Sequence, residues 1–529
     1  MGQSKRYFES GGDVSVAQAA IPSLAGVESR SETTAIPRIY ALLLVAFLVL
    51  SRWFVAPAYL YYFDSANFAL ALENFNPALH QPQPPGYPLF VALTRLIDVV
   101  LDDPQQIMLV AGLIGGIAAV LVLLYLGTLM FGRAAGILAA ALLASDPVFW
   151  FGGVTNEVRI FLALGMAAIC LLGWRALTAP ERPGRLYVLF AAIGIAAGFR
   201  PIETWLLMPL ALWIWYRTGR SVSRLLIAHA ALAATTLPWL AVVVWSSGGP
   251  AAFFHIVNEY ANSQFHDTSA LYGAHPPAAW HMALEALGWT ALGALVWIWA
   301  VPFVRRTSLR GGWRTPAAFL ALALLPPLVF SAVVHVGDPD QTLASVTVLS
   351  LIGGALLSRL LAGFDSSRVY AAAALVAVAH ISSFYRPPFH LAEAASYGAV
   401  RNVDRMTTAA IRAIDSLKRD GPVTIVHYGS PVTFRQVEYY FSDDYVVALP
   451  GSPVQRARGS TFTYFQHRSV AVPAGAAGKI GPGTRRLICL VPGNTPDGLL
   501  PGWHRYGPVF VLDKPPQSEV NIGEFRLIW

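Results

Sequence analysis

Residues 106–130 read QIMLVAGLIGGIAAVLVLLYLGTLM, and this stretch contains no charged side chain. Because a helix needs about 20 apolar residues to cross the hydrocarbon core of a bilayer, the stretch predicts a membrane span. Similar stretches precede and follow it, and several are short enough to be tilted, broken or re-entrant. The eleven predicted spans are 39–57, 106–130, 134–150, 157–177, 185–199, 202–216, 224–246, 284–304, 315–335, 341–362 and 368–384.

The composition also indicates a membrane protein. Of the 529 residues, 55% are hydrophobic and only 13% are charged, whereas about 25% are charged in soluble domains. The net charge of +7 does not indicate a nucleic-acid partner, because the basic residues lie in the gaps between apolar stretches rather than in one patch. We therefore predict a mainly α protein, a transmembrane helical bundle surrounded by membrane lipids.

The arginines between the spans predict the orientation. Cytoplasmic loops of membrane proteins carry an excess of Lys and Arg. With the N-terminus inside, the outer segments up to residue 384 hold only Arg95, Arg159 and Arg200, and an odd number of spans puts the C-terminus outside. We predict the inner (plasma) membrane of a bacterium. The arginines predicted inside are Arg133, Arg175, Arg182, Arg185, Arg217, Arg220, Arg224, Arg305, Arg306, Arg310, Arg314, Arg359 and Arg368.

The chain divides into three predicted parts. Residues 1–37 predict a disordered cytoplasmic tail, and 38–385 predict the transmembrane domain, with long outer loops at 58–105 and 247–283. After this point, short β-like runs alternate with a helical pattern and Pro/Gly turns. We predict that residues 386–529 form a small α/β domain in the periplasm.

The first long outer loop carries an acid directly after the first span. Asp64 precedes a predicted short helix, and a rigid corner at 84–88, with the sequence PPGYP, leads to a second amphipathic stretch. Proline fixes φ, and Gly86 permits a sharp bend. Asp64 is a candidate site residue, and the alternative is that it caps a helix that begins at Ser65.

The second outer loop carries Glu157 and Arg159. Glu157 opens the fourth predicted span, where the positive end of a helix stabilises a carboxylate. Two residues apart on a helix, the two side chains point to different sides. Arg159 therefore needs a partner elsewhere, either Asp64 or a bound anion.

A lone arginine lies at the third outer turn. A guanidinium at headgroup depth suits a phosphate, and the alternative for Arg200 is a pair with Glu203 or a lipid headgroup. Two further sets of polar residues lie on the same predicted side of the membrane as Arg200. His255 and Glu259 are spaced for a metal, although the polar face of an interfacial helix is favoured. The cluster near the tenth span, which lines a site or caps that span, is His335, Asp338, Asp340 and Gln341.

Three segments resemble the glycosyltransferase C (GT-C) superfamily, in particular protein O-mannosyltransferases, aminoarabinose transferases and their bacterial relatives. The run 63–65 (FDS) followed by 84–90 (PPGYPLF) resembles a first-loop acid and an HPPGYPL run, with Gln83 in place of its His. Phe149-Trp150 followed by 156–158 (NEV) is similar to an FW…AEVY segment. Residues 198–209 resemble a GL..LTKG….LLP segment, with Arg200 in place of its Lys. The resemblance covers about 40–384 and extends loosely to the C-terminal domain.

The resemblance implies a hexosyltransferase that moves a sugar from a polyprenyl-phosphate donor, with inversion, to an unknown protein, lipid or glycan acceptor at the outer face. Asp64 then takes the first-loop acid role, either as general base or as metal ligand. No full Asp-x-Asp motif is recognised, so an obligatory metal site is not expected, and a divalent metal ion stays an alternative that the sequence does not require. The expected catalytic residues are Asp64 and Glu157, the donor-phosphate residues Arg200 and Arg159, and the substrate-binding residues Tyr87, His335 and Gln341.

Two other functions stay open at this point. A transporter or flippase of lipid-linked sugars usually carries ionisable residues near the midplane and inverted repeats, and neither is detected in the sequence. A non-catalytic membrane scaffold that binds polyprenyl lipids is the third hypothesis. Measuring product formation from a labelled donor separates all three.

Overall fold

The computed structural model describes most of the chain. The described residues are 38–155, 157–265, 269–304, 313–449, 469–472, 476–492, 500–513, 515–516, 518–523 and 525–529. The side chains of Glu157 and Glu203 lie outside this description. So do the predicted tail 1–37 and, from the groups named above, Arg305, Arg306 and Arg310.

The described residues are mainly helical up to residue 418. The helices are α1 Arg38–Val55, α2 Phe63–Glu73, α3 Pro88–Asp98, α4 Pro104–Phe131, α5 Arg133–Ser145, α6 Pro147–Thr155, α7 Ile160–Leu177, α8 Gly184–Phe199, α9 Glu203–Arg217, α10 Val222–Ser246, α11 Pro250–Phe265, α12 Pro276–Leu292, α13 Arg314–Val329, α14 Leu343–Leu360, α15 Ser366–Tyr385, α16 Tyr397–Lys418 and α17 Phe434–Tyr440.

The spans form an integral membrane bundle, but the predicted count of eleven is not confirmed. Among the described residues, seven helical segments are long and apolar enough to cross a membrane, and the bent pair α5 and α6 makes an eighth. Each of the other predicted spans coincides with a shorter helix. The helix α8, for example, has 16 residues, and the predicted span 284–304 is the end of α12 followed by 3-10 turns.

A helix break explains why the predicted span 134–150 is not one continuous helix. The helix α5 ends at Ser145, and α6 begins at Pro147 at an angle of 51°. Asp146 lies at the break, where its Oδ1 accepts hydrogen bonds from the backbone N–H groups of Val148 at 2.8 Å and Phe149 at 3.2 Å. Proline suits the first turn of a helix, where no intrahelical N–H bond is lost. The break therefore starts a new helix within a hydrophobic stretch.

The loop 58–105 folds into two short helices joined by a proline-rich corner, as predicted, although the helix bounds differ. The helices are α2 and α3, and the corner contains cis peptide bonds at Gln81-Pro82 and Pro84-Pro85. Gly86 has φ of +106° and Tyr87 has φ of +45°. A side chain at Gly86 would come within 3.1 Å of Pro77 and 3.2 Å of Val243, so only glycine fits this close approach to α10.

The C-terminal region contains the predicted small α/β domain. Its strands are β1 Val423–Tyr428, β2 Tyr445–Leu449, β3 Ser469–Ala471, β4 Ala477–Lys479, β5 Arg486–Leu490, β6 His504–Tyr506, β7 Val509–Asp513, β8 Glu519–Ile522 and β9 Phe525–Ile528. One sheet has the order β3-β2-β1-β5-β7-β6 and the other β4-β9-β8. The pairings among β3, β2, β1 and β5 are parallel, whereas β7 runs antiparallel to β5 and β6.

The helix α17 of this domain packs against the first outer loop. The side-chain amide of Gln436 donates to the carbonyl of Leu60 at 2.7 Å, and the N–H of Leu60 donates to the hydroxyl of Tyr440 at 2.8 Å. Arg435 donates to the carbonyl of His80 at 3.3 Å and pairs with Glu438 at 2.6 Å, with both charged side chains fully buried. These contacts hold the loop on both sides of α2, the helix that carries Asp64.

Candidate active site

The candidate site is built around Arg159, which lies in a 3-10 turn directly before α7. Its Nη1 donates to Asp338 at 2.7 Å and to Asp340 at 2.5 Å, and its Nη2 donates to Asp64 at 3.2 Å. Asp64 lies in the first turn of α2, and the other two acids flank Pro339 at the start of a 3-10 turn. We call Arg159 and its three partners the carboxylate cluster.

The carboxylate cluster is partly buried and carries excess negative charge. The side chains of Arg159 and Asp340 are only 6% and 1% exposed, whereas those of Asp64 and Asp338 are 24% and 43% exposed. Burial alone lowers the pKa of Arg159, but the three carboxylates outweigh burial and raise this pKa well above its ordinary value. With one positive and three negative groups, the cluster has a formal charge of −2.

The carboxylate cluster opens into a cleft between the helical bundle and the loops at one of its ends. The cleft is bounded by the loop before α2, by α6 and α11, and by the turn that precedes α14. Its walls are aromatic, apart from the carboxylate cluster and a few polar groups. The lining residues are Tyr61, Tyr62, Phe63, Asp64, Phe151, Thr155, Arg159, Tyr260, His335, Gly337, Asp338, Asp340 and Gln341.

A second cation lies beside the cleft. The backbone N–H of Arg200 closes the last turn of α8, and its guanidinium lies 5.2 Å from the centre of the Tyr87 ring. Burial raises the pKa of Tyr87, while the positive charge of Arg200 opposes this shift. The Nε atom of Arg200 is buried and has no hydrogen-bond partner among the described residues. The alternative partner that the sequence offered, Glu203, has a side chain outside the description.

His335 and Gln341 line the cleft in different ways. Burial and the nearby Arg159 lower the pKa of His335 to about 4, so the imidazole is neutral near pH 7 and adds no charge to the cleft. The side-chain oxygen of Gln341 accepts a hydrogen bond from the N–H of Gly337 at 2.7 Å, and this bond shapes the turn that carries Asp338.

Most of the residues expected from the sequence come together. Asp64, Arg159, His335 and Gln341 line one cleft. Tyr87 and Arg200 are not part of this lining, but both act electrostatically on the cleft residue Tyr260. The backbone of Glu157 lies in the same turn as Arg159. Because its side chain lies outside the described residues, the expected catalytic role of Glu157 stays a prediction.

The structure decides two alternatives that the sequence left open. The helix α2 begins at Phe63 with Tyr62 in the cap position and no side-chain cap, so Asp64 is not the helix cap. Arg159 takes Asp64 as a partner, together with two further acids. With three carboxylates already bound, Arg159 is poorly suited to the donor-phosphate contact expected from the sequence.

Sequence reasoning named Asp338 and Asp340 in a cluster that lines a site or caps the tenth span, but it did not connect them with Arg159 or recognise their motif. Asp338-Pro339-Asp340 is a full Asp-x-Asp sequence, and it was not assigned to the site. Both acids contact Arg159, although 179 and 181 positions separate them from it. The Asp-x-Asp motif itself is the signal that could have linked both acids to the site. The cleft tyrosines Tyr61, Tyr62 and Tyr260 were also missed.

The spaced pair on α11 shows no metal-binding geometry. The Nε2 atom of His255 lies 3.8 Å from the carboxylate of Glu259, and their side chains are 79% and 61% exposed. Within the part of the chain that the structure describes, no group of three or more His, Cys, Asp or Glu side chains is arranged to hold a metal ion. The pair fits the polar face of a surface helix.

Comparisons with known proteins identify a related family model and solved structures with a similar fold. The family model described as dolichyl-phosphate-mannose-protein mannosyltransferase matches residues 82–245. ArnT from Cupriavidus metallidurans, in complex with undecaprenyl phosphate, has a TM-score of 0.58 and 14% identity, over 91% of this chain and 99% of ArnT. The apo form of the same protein also gives 0.58, with 16% identity over 90% and 97%. No curated protein matches the sequence.

Proposed function

Because the chain has the fold of the GT-C superfamily of membrane glycosyltransferases, we propose that it transfers a sugar from a polyprenyl-phosphate-linked donor to a hydroxyl acceptor. The transfer inverts the configuration at the sugar carbon and takes place at the outer face of a bacterial inner membrane. Undecaprenyl phosphate bound to ArnT supports this class of donor. The observation that carries the proposal is that Asp64 lines the cleft and that Arg200 acts electrostatically on two other residues of its lining, Tyr260 and His335.

Asp64 is the proposed general base. Its contact with Arg159, at 3.2 Å, is the longest of the three in the carboxylate cluster, whereas strong charge-assisted bonds measure about 2.7–2.9 Å. The side chain of Asp64 is also more exposed than that of Asp340, 24% against 1%, and it lines the cleft. It takes the proton of the acceptor hydroxyl as that oxygen attacks the anomeric carbon, opposite the phosphate.

Arg200 is the proposed partner of the departing phosphate. As the bond between the anomeric carbon and the phosphate oxygen breaks, negative charge grows on the lipid phosphate, and a guanidinium stabilises it. Arg200 suits this role because its Nε is buried without a hydrogen-bond partner among the described residues. The cleft between Arg200 and the carboxylate cluster then holds the sugar, with Tyr87, His335 and Gln341 as proposed substrate contacts.

The test is transfer from radiolabelled polyprenyl-phosphate sugars by purified Asp64→Asn. The amide keeps the shape of the side chain but loses the basic oxygen, so we expect transfer to fall by about 100-fold or more. Glu73→Gln is the matched control, because Glu73 lies on the same helix and is exposed, and we expect it to keep normal turnover.

Two outcomes contradict this proposal. If Asp64→Asn kept near-normal turnover while Glu73→Gln lost it, a different carboxylate would be the base. If neither the natural protein nor its variants consumed any donor, a transporter of lipid-linked sugars or a non-catalytic lipid-binding scaffold would account better for the fold.

A further inference from the structure

We propose that the guanidinium of Arg159 occupies the position of a divalent metal ion, so that the carboxylate cluster works with a cation built into the chain. The catalytic meaning of this inference rests on the proposed function. The inference itself concerns what the three carboxylates bind, and it can be tested without any measurement of transfer.

The first support is the kind and number of ligands. Asp64, Asp338 and Asp340 come from two distant parts of the chain and converge on one positive centre. Carboxylate oxygens are the ligands that Mg²⁺, Mn²⁺ and Ca²⁺ prefer. Two of the acids form an Asp-x-Asp sequence, which brings two carboxylates to one ion. Without a cation between them, three such charges in a half-buried place repel one another.

The second support is the geometry around the guanidinium. The contacts, from two different guanidinium nitrogens, measure 2.5, 2.7 and 3.2 Å. The shortest falls within the roughly 2.0–2.6 Å of bonds from Mg²⁺ or Ca²⁺ to oxygen, and the other two are longer. The planar fork of Arg uses two nitrogens to reach all three acids. A small inward movement of the carboxylates would bring the same oxygens to metal distances.

The third support is an oxygen that Arg159 does not satisfy. Oδ2 of Asp340 is buried and has no hydrogen-bond partner among the described residues. Nη1 is shared between Oδ1 of this acid and Asp338, and Nη2 contacts Asp64, so no contact from a terminal nitrogen is left for Oδ2. A metal ion has no such restriction and can take both oxygens of a carboxylate. As they stand around Arg159, the three carboxylates are not arranged to hold a metal ion, but they offer one more buried oxygen than the guanidinium uses.

A built-in cation has a chemical consequence. A guanidinium is always charged and cannot dissociate, so the cluster keeps its positive centre whatever the metal supply. The single positive charge also leaves the cluster at −2, whereas a dication in the same place would leave it at −1. A negative cluster keeps the donor phosphate away from Asp64 and on the side of Arg200.

The experiment removes the guanidinium and offers Mn²⁺ instead. Arg159→Met keeps most of the side-chain length without the charge. We expect this variant to bind one Mn²⁺ per chain, measured by electron paramagnetic resonance of free Mn²⁺, and Mn²⁺ to raise its Tm. The natural protein should bind no Mn²⁺ at this site, and its transfer activity should not change when EDTA is added.

Three controls complete the design. The double variant Arg159→Met, Asp340→Asn should lose the Mn²⁺ gained by the single variant, because a ligand is gone. Arg200→Met removes a nearby guanidinium that lies outside the carboxylate cluster, and it should gain no Mn²⁺. Arg159→Lys keeps a positive charge in the cluster and should also bind none.

The outcomes separate this inference from the proposed function. An Arg159→Met chain that Mn²⁺ neither binds nor rescues during purification contradicts the inference, as does Mn²⁺ bound among these carboxylates in the natural protein. A chain that folds only when Mn²⁺ is present supports it. If no variant transfers sugar but Arg159→Met still gains Mn²⁺, the proposed function fails and the inference holds.

Discussion

At the scale of single residues, Arg200 is the clearest residue to substitute after those of the carboxylate cluster. Arg200→Ala removes a guanidinium that has no hydrogen-bond partner for Nε among the described residues, so the fold loses little. A hydrogen bond to a charged group contributes about 1.5–3 kcal/mol. We therefore expect the KM for the donor to rise by about 10- to 100-fold, as measured from initial rates over a range of donor concentrations.

Two further variants test this assignment. Arg200→Lys should retain part of the activity, because an ammonium binds phosphate as a point charge but not in bidentate geometry. Arg386→Ala is the control, since it removes an exposed arginine beyond the end of α15, and its KM should not change. An unchanged KM in Arg200→Ala would remove this residue from the donor site.

Sequence reasoning found individual residues better than it found their partners. Asp64, Arg159 and Arg200 stand out because a charged residue beside an apolar stretch is unfavourable in free energy unless it has a partner or a function. The contacts of Arg159 with Asp338 and Asp340 were not predictable in the same way, since no local pattern links positions 179 and 181 apart. Such pairs depend on which helix ends meet, and hydropathy does not determine this.

At the scale of helices and strands, hydropathy located the apolar segments but not their breaks. The stretch 134–150 has the composition of one span, yet it bends at Asp146 because the carboxylate of that residue caps a new helix. A hydropathy average over many residues hides a single carboxylate such as that of Asp146, whereas the backbone changes direction at it. The same limit explains why eleven apolar stretches became seven long helical segments, one bent pair and several shorter helices.

The helix α17 leads to a prediction at this scale. Tyr440→Phe removes the hydroxyl that accepts the N–H of Leu60, and Gln436→Ala removes the amide that donates to its carbonyl. Each bond contributes about 1 kcal/mol, so we expect each variant to lower kcat by about fivefold. The KM for the donor should stay constant, because Arg200 is not part of this loop. Steady-state kinetics with saturating acceptor separates the two constants.

The matched control for Tyr440→Phe is its neighbour. Tyr439→Phe removes a hydroxyl one position earlier, and that hydroxyl makes no hydrogen bond within the part of the chain that the structure describes. We expect normal kcat from this variant. Equal losses from both Phe variants would mean that α17 does not position Asp64, and that packing alone explains the contact.

At the scale of the whole molecule, the distribution of arginines predicts which end of the bundle faces the cytoplasm. Arg217 and Asp415 are exposed and lie on opposite predicted sides, and both natural cysteines, Cys170 and Cys489, are buried. In intact cells, we expect a membrane-impermeant maleimide to label Asp415→Cys but not Arg217→Cys. Permeabilised cells should show labelling of both, and the reverse pattern in intact cells would invert the predicted orientation.

The docking of α17 also determines when the protein can become active during its own synthesis. The loop with Asp64 leaves the ribosome early, but Gln436 and Tyr440, which hold Leu60, follow 376 and 380 positions later. Until they emerge, Asp64 lies on a segment that α17 does not yet hold, beside lipids that could carry a substrate. A nascent chain halted before α17 is therefore expected to be inserted but inert, and we expect the proposed transfer to begin only after the α/β domain that carries α17 has folded.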